Sequence, residues 1–401
     1  MKKIFQLPYL LILAVIAASI EIELSVPSFP DMVRHFGSTE ETIQRTLSLN
    51  FFGFCVSSLF YGPISESFGR RPVFLFGNIL FLFGSVACIF AGSIELLIAF
   101  RFFQGLGASA IWVVTFAIIA DNYQGSESMK VIGLINSIIT GFMAGAPILG
   151  GIINEHFGWW ANYIFIGFLS FTALLLVYFF LPETLKIKKP LETKTIKKDY
   201  WTLCTSPHFL LLNTLPNVMA AVYMSYVAIS PFYYIDQLTY TSSAFAFHQG
   251  TLVASFSLTS YLSARIVKKF GERRSIITGA ALTLSSTFGF LFIVHFLPNT
   301  AFLISLSMIT WAIGCALYFS IIFAKSLEIH PELKGPASAF AMSSRTLICA
   351  IFVTFSGIIY DGSLQPFSYF MMTVVSLAIA LVPKILPKSK PIYPQTNTQA
   401  T

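Results

Sequence analysis

The chain has 401 residues, of which 55% are hydrophobic and only 11% charged, and it carries a formal net charge of +7. Soluble domains hold about 25% charged residues, so this chain, with a mean hydropathy of +0.75, lacks the charge to cover a water-facing surface and reads as a polytopic membrane protein. The basic excess fits loops beside a bilayer, where Lys and Arg collect on one side, rather than nucleic acid.

The opening stretch, "MKKIFQLPYLLILAVIAASIE", has the basic start, apolar run and small residues of a signal peptide. Its apolar run continues past the small residues and many more follow, so it reads as an uncleaved first span. Apolar stretches of about 20 residues, the length of a bilayer core, recur near 7–30, 44–65, 72–92, 95–120, 128–153 and 160–181. They resume near 207–232, 244–267, 274–297, 300–324, 337–359 and 366–386. The fold class is therefore all-α integral membrane, with 12 transmembrane helices in two six-helix halves, 1–185 and 206–388. Between them "KIKKPLETKTIKKDY" opens a Lys-rich linker (186–205), read as a solvated loop, and 389–401 is a polar tail. Apart from Arg34, Arg45, Arg101 and Arg345, every Lys and Arg falls on the side of the linker and the termini. By the positive-inside rule, that side is cytoplasmic.

"SESFGRRPVFLFG" (65–77) has an echo in "VKKFGERRSIITG" (267–279), each between the second and third helices of its half. Parallel halves with a site between them near the membrane midplane are a transporter architecture. In "GPISESFGRRPVFL" (62–75), Gly62 is expected to let its helix approach a neighbour closely, Gly69 to permit a tight turn, and Arg70 and Arg71 to hold the loop inside. Gly62, Glu66, Gly69, Arg70 and Arg71 together resemble the loop signature of the major facilitator superfamily, with Glu for the usual Asp and Ser67 where a basic residue is common. That resemblance implies two six-helix halves and a loop that braces them in the outward-facing state.

"RFFQGLGASA" (101–110), with Arg101, Gln104 and Gly105, is similar to the family's helix 4 signature. "GAPILGG" (145–151) resembles the helix 5 signature of its antiporter branch. There Gly145, Gly150 and Gly151 allow close helix contact, and Pro147 removes a backbone donor. A purely structural kink is the alternative. "LPETL" (181–185), "GPASAF" (335–340) and the spaced prolines of "ELSVPSFP" resemble the Bcr/CflA drug-efflux branch, which typically has an aspartate where Glu23 stands.

Two glutamates, Glu21 and Glu23, interrupt the first span. At 1.5 Å per residue Glu23 lies roughly 24 Å along a helix from Leu7, about 6 Å from the far boundary of a core about 30 Å thick. Arg101 lies about 9 Å from the same boundary, so Glu23 and Arg101 are natural partners if their helices face one cavity. Two residues apart, the glutamates are about 200° apart around the helix and cannot both face it. Glu23 is expected in the pathway and Glu21 against a neighbouring helix, with the reverse, or helix-to-helix hydrogen bonding by both, as alternatives. Arg345, buried in the C-terminal half, either binds an anionic substrate group or snorkels to the interface. Asn213, Asn217, Tyr223 and Tyr226 could line the cavity or simply pack.

The function expected from this resemblance is proton-coupled efflux of small, largely apolar compounds by alternating access. The alternatives are export of an endogenous metabolite or siderophore, and proton-coupled uptake. The expected partners are a small-molecule substrate, protons and the bilayer of the inner membrane, and a monomer is expected. The five cysteines have no ligand spacing, no His-x-x-x-His or Asp-x-x-Asp pair occurs within a span, and neither an enzyme nor a cofactor is expected.

Overall fold

The computed structural model describes residues 2–123, 125–188 and 190–386; the expected tail at 389–401 lies outside them. The N-terminal half contains α1 (Lys2–Ser25), α2 (Phe29–Phe36), α3 (Glu40–Phe68), α4 (Arg70–Ile89), α5 (Ile94–Asn122), α6 (Gly125–Phe157) and α7 (Trp159–Phe180). The linker contains α8 (Thr193–Cys204). The C-terminal half contains α9 (Pro207–Pro231), α10 (Ser242–Phe270), α11 (Glu272–Phe296), α12 (Ala301–Glu328), α13 (Lys334–Ile359), α14 (Gln365–Ile379) and α15 (Val382–Ile385).

Local sequence sets several of these boundaries. Thr39, Ser93 and Thr241 accept a backbone N–H at the starts of α3, α5 and α10, the usual role of a small hydroxyl before a helix. Pro27 and Pro30 end α1 two residues past Glu23 and turn the chain through a short 3-10 segment, Val26–Ser28, into α2. Gly69 and Gly271 occupy matching places in the two halves, each closing one helix and opening the next at φ +115° and +85°. The internal repeat is thus a shared backbone device that a side chain would strain.

Eleven helical segments among the described residues are long and apolar enough to cross a membrane. The twelfth expected span is α10, 29 residues long. It is rich in Ser and Thr, but its length matches the others and it packs on α6 and α12, with Gln249 and Ser263 buried.

The apolar core is asymmetric along the membrane normal. Toward the end opposite the linker, one continuous cluster joins Phe29, Leu47 and Trp159 of the first half to Met219, Phe232 and Phe245 of the second. Toward the linker end, the N-terminal half keeps a separate core, including Leu11, Phe74 and Ile118, with no member from the C-terminal half. Between the halves at that end lies a cavity of about 760 Å³ bordered by Gly62, Glu66, Asp121, Tyr200, Ser338 and Met342. One end is sealed and the other is open.

The linker is not a plain solvated loop. Its helix α8 buries Leu203 against Phe209 and Ala337 of the C-terminal half. Tyr200 donates to the Leu59 carbonyl of α3 at 2.7 Å. Burial pushes the Tyr200 phenol up to about 12, so it remains a donor through the neutral range.

Candidate functional site

Near the sealed end, α1 places its two glutamates on opposite sides, both with 1% exposure. Glu21 points into its own half. Arg101 of α5 donates to its Oε2 at 2.8 Å, and Asn50 of α3 donates to its Oε1 at 2.9 Å. Asn50 also reaches the Arg101 carbonyl, while Arg101 donates to Gln104, whose amide donates to Ser85 of α4. Tyr163 of α7 presents its ring to the guanidinium at 5.8 Å. Glu21, Arg101 and Gln104 therefore belong to a buried polar network that ties together α1, α3, α4, α5 and α7.

The expected pairing of Glu23 with Arg101 is corrected: the partner is Glu21. The two glutamates differ in depth by about 3 Å, and Arg101 is long enough to reach either. Helical phase decides, and it turns Glu23 away.

Glu23 faces the C-terminal half. Tyr223 of α9 donates its hydroxyl to Oε1 at 2.7 Å, and Gln249 of α10 donates to Oε2 at 3.3 Å and to the Tyr223 hydroxyl at 3.2 Å. Both donors are neutral, and no cation lies within ion-pair distance among the described residues. The halves thus meet on a carboxyl group, beside further links between Arg34 and Asp236, Asn154 and Ser242, and Ser48 and Thr354.

The remaining C-terminal candidates separate. Tyr226 donates to Tyr234 and packs on Phe290 and Phe367 inside its own half. Asn217 donates to Ser344 of α13, and Asn213 to a carbonyl of its own helix. These three hydrogen-bond within their own half; of the four, Tyr223 crosses to the other. Arg345 lies on α13 between α12 aromatics, with Phe319 at 4.8 Å and Phe323 at 5.4 Å.

The loop motif forms a second cluster. Arg70 donates to Asp121 of α5 at 2.8 Å and to Ser65 at 2.6 Å, with Glu66 at 3.9 Å. Glu183, from "LPETL", accepts the Arg70 and Arg71 backbone N–H groups at 3.0 and 3.2 Å, capping α4 where its positive dipole end lies. Arg71 also donates to the Tyr178 carbonyl. All of these partners lie in the N-terminal half.

Two glycine expectations are corrected. A Cβ at Gly62 or Gly145 would meet no heavy atom within 4 Å, so neither allows a close helix approach; Gly62 borders the cavity instead. Gly150 does abut the Leu24 backbone, and Gly151 abuts Ser242 and Ala246 of the other half. Pro147 lies within α6. Asn50, Gln249, Asp121 and Glu183 are site residues that sequence reasoning missed. The amides were signalled by their place inside apolar spans, and the two acids by lying at helix ends facing a basic loop.

The sequence profile of the Major Facilitator Superfamily matches residues 11–353. The chain belongs to that superfamily. Among superfamily relatives, it is 28% identical over 341 residues to the multidrug resistance protein MdtM of Escherichia coli, covering 83% of this chain and 81% of the relative. It is 26% identical over 339 residues to a bicyclomycin resistance protein homolog of Haemophilus influenzae, covering 82% and 83%. A chloramphenicol resistance protein of Pseudomonas aeruginosa matches at 27% over 260 residues, 64% of this chain and 60% of that relative. A D-xylose-proton symporter crystal structure shares the superfamily fold with a TM-score of 0.78 at 15% identity, covering 96% and 99% of the two chains. This superfamily member is a multi-pass membrane transporter.

Proposed function

We propose that this transporter exports small, largely apolar compounds in exchange for protons, by alternating access, as a monomer in the inner membrane with its linker end cytoplasmic. The observation that carries the reading is Glu23, a cation-free carboxyl at the contact between the halves. An ionised carboxylate sealed away from water costs several kcal/mol unless it is paired, and a proton removes that cost. Opening the sealed end would draw α9 and α10 away from α1, strip Tyr223 and Gln249 from Glu23, and expose it to water that can supply a proton. Substrate entering from the linker end then competes with that proton for the same inter-half contact. Glu21 keeps its own counter-ion and serves as scaffold. The relatives named for multidrug, bicyclomycin and chloramphenicol resistance support drug-like compounds as substrates. The cavity falls within the roughly 300–1,000 Å³ typical of small-molecule sites.

The test is transport of a drug panel into everted vesicles with an imposed inside-acid gradient. Wild type should accumulate substrate and release protons on substrate addition in detergent; Glu23→Gln should do neither, while still binding a neutral substrate. Continued pumping by Glu23→Gln would move the proton elsewhere, and accumulation only under the reversed gradient would make the protein an importer. For orientation, linker cysteines in a cysteine-free variant should resist an impermeant thiol reagent until cells are permeabilised.

A further inference from the structure

The cavity at the linker end has a feature just beyond its deep margin that helix packing leaves unexplained. Ser338 and Met342 of α13 border it, and Arg345 continues that stripe at the next helical step, about 4.5 Å deeper. Its guanidinium lies against two rings, Phe319 and Phe323 of α12. Yet Nε and Nη2 are closed off from solvent and have no hydrogen-bond partner. Arg101 also leaves its Nε and Nη2 without a hydrogen-bond partner, but it differs in holding a carboxylate at 2.8 Å through Nη1. A guanidinium is always charged and offers a planar fork of donors matched to a carboxylate. A snorkelling arginine would carry that fork out to water. Here Nε and Nη2 are held inside against the aromatic rings, with no carboxylate within ion-pair distance among the described residues.

We infer that Arg345, with Phe319 and Phe323, forms a subsite for the anionic group of small organic acids whose flat apolar body lies on the two rings. This rests on the transporter reading and adds a substrate class to it: monoanionic aromatic carboxylates beside neutral compounds. The carboxylate takes the free Nε and Nη2 donors in a two-point hydrogen bond, and the rings supply stacking area. Glu23 lies near the sealed end and Arg345 beyond the open cavity, so the charge of the substrate and that of the proton are read at separate places.

The experiment compares 2-naphthoate with the neutral, nearly isosteric 2-naphthamide, binding each to the full-length protein in detergent by equilibrium dialysis. Wild type should prefer naphthoate by about tenfold or more, the scale of a charge-assisted pair. Arg345→Gln should erase that preference while leaving naphthamide unchanged. Arg345→Lys, which keeps the charge but loses the planar fork, should retain part of it. Phe319→Leu should weaken both probes, and it gives a second reading if Arg345→Gln does not fold. Equal wild-type affinity for the two probes, or an equal loss of both in Arg345→Gln, would overturn the proposal. Phosphatidylglycerol that displaces naphthoate at stoichiometric levels would assign the site to a lipid headgroup and overturn the substrate reading. Vesicle transport keeps the two readings apart: naphthoate binding that survives while gradient-driven export fails removes the proton-coupled function and leaves the subsite standing.

Discussion

The Tyr223 hydroxyl lies 2.7 Å from the Glu23 carboxylate, across the boundary between the two halves of the molecule. One side chain belongs to α1 and the other to α9, so the bond joins the two halves at the sealed end. Tyr223→Phe removes the donor and keeps the ring. It should lower gradient-driven transport by about tenfold or more, the worth of a hydrogen bond to a charged group. Neutral-substrate binding should be little changed. Vesicle transport at a series of external pH values checks this; an unaltered pH profile would reduce the bond to packing.

Arg101 and Glu21 form a buried pair. Removing one member of such a pair strands the other charge and costs roughly 3–5 kcal/mol, whereas removing both is much less harmful. Arg101→Gln should therefore lower the thermal midpoint in detergent sharply, and Glu21→Gln with Arg101→Gln should recover most of the loss. A double variant as unstable as the single would show that Arg101 acts through Gln104 and Tyr163 rather than through Glu21.

The spans, the two halves and the repeat were legible because length, hydropathy and a glycine-bearing turn each leave a local mark. The partner of Arg101 was not. Depth along a helix can be counted from its start, but Glu21 and Glu23 differ by half a turn, and rotation is set by packing around the Pro27 bend. The same limit explains Gly62 and Gly145: a glycine in a small-residue motif does not say whether its missing side chain faces a helix or open space. Helix α8 escaped notice because its apolar positions, Leu203 among them, are few and interleaved with lysines.

Glu183 is expected to matter more than its place after the last helix of the first half suggests. Glu183→Ala removes the acceptor of two N–H groups at the start of α4 and should cost about 0.5–2 kcal/mol, read as a lowered thermal midpoint. Gly69→Leu combines an unfavourable φ of +115° with a side chain driven into Glu183. It should impair transport while membrane insertion persists, as should Arg70→Ala through loss of Asp121. Normal transport in all three would leave the motif with only its role in orienting the chain.

Gly151 lets α6 lie directly on α10 at the sealed end, where an added Cβ would fall 2.6 Å from the Ser242 carbonyl and the Ala246 methyl. Backbone offers little room to yield, so Gly151→Leu should hold that end apart and stop transport. Spin labels on cysteines replacing His35 and Gln237 should then report a longer separation than in the parent. An unchanged distance would show that the helices can slide to absorb the side chain.

The placement of α8 has a kinetic consequence. Asp199 and Tyr200 line the open cavity, so swinging the halves together at that end should require the linker helix to move. Leu203 must leave its pocket and Tyr200 must release Leu59, a barrier on the order of 2–4 kcal/mol from burial and one hydrogen bond. Turnover should thereby be gated by a segment remote from Glu23 and Arg345. Substitutions there would alter how often the protein cycles without altering what it carries.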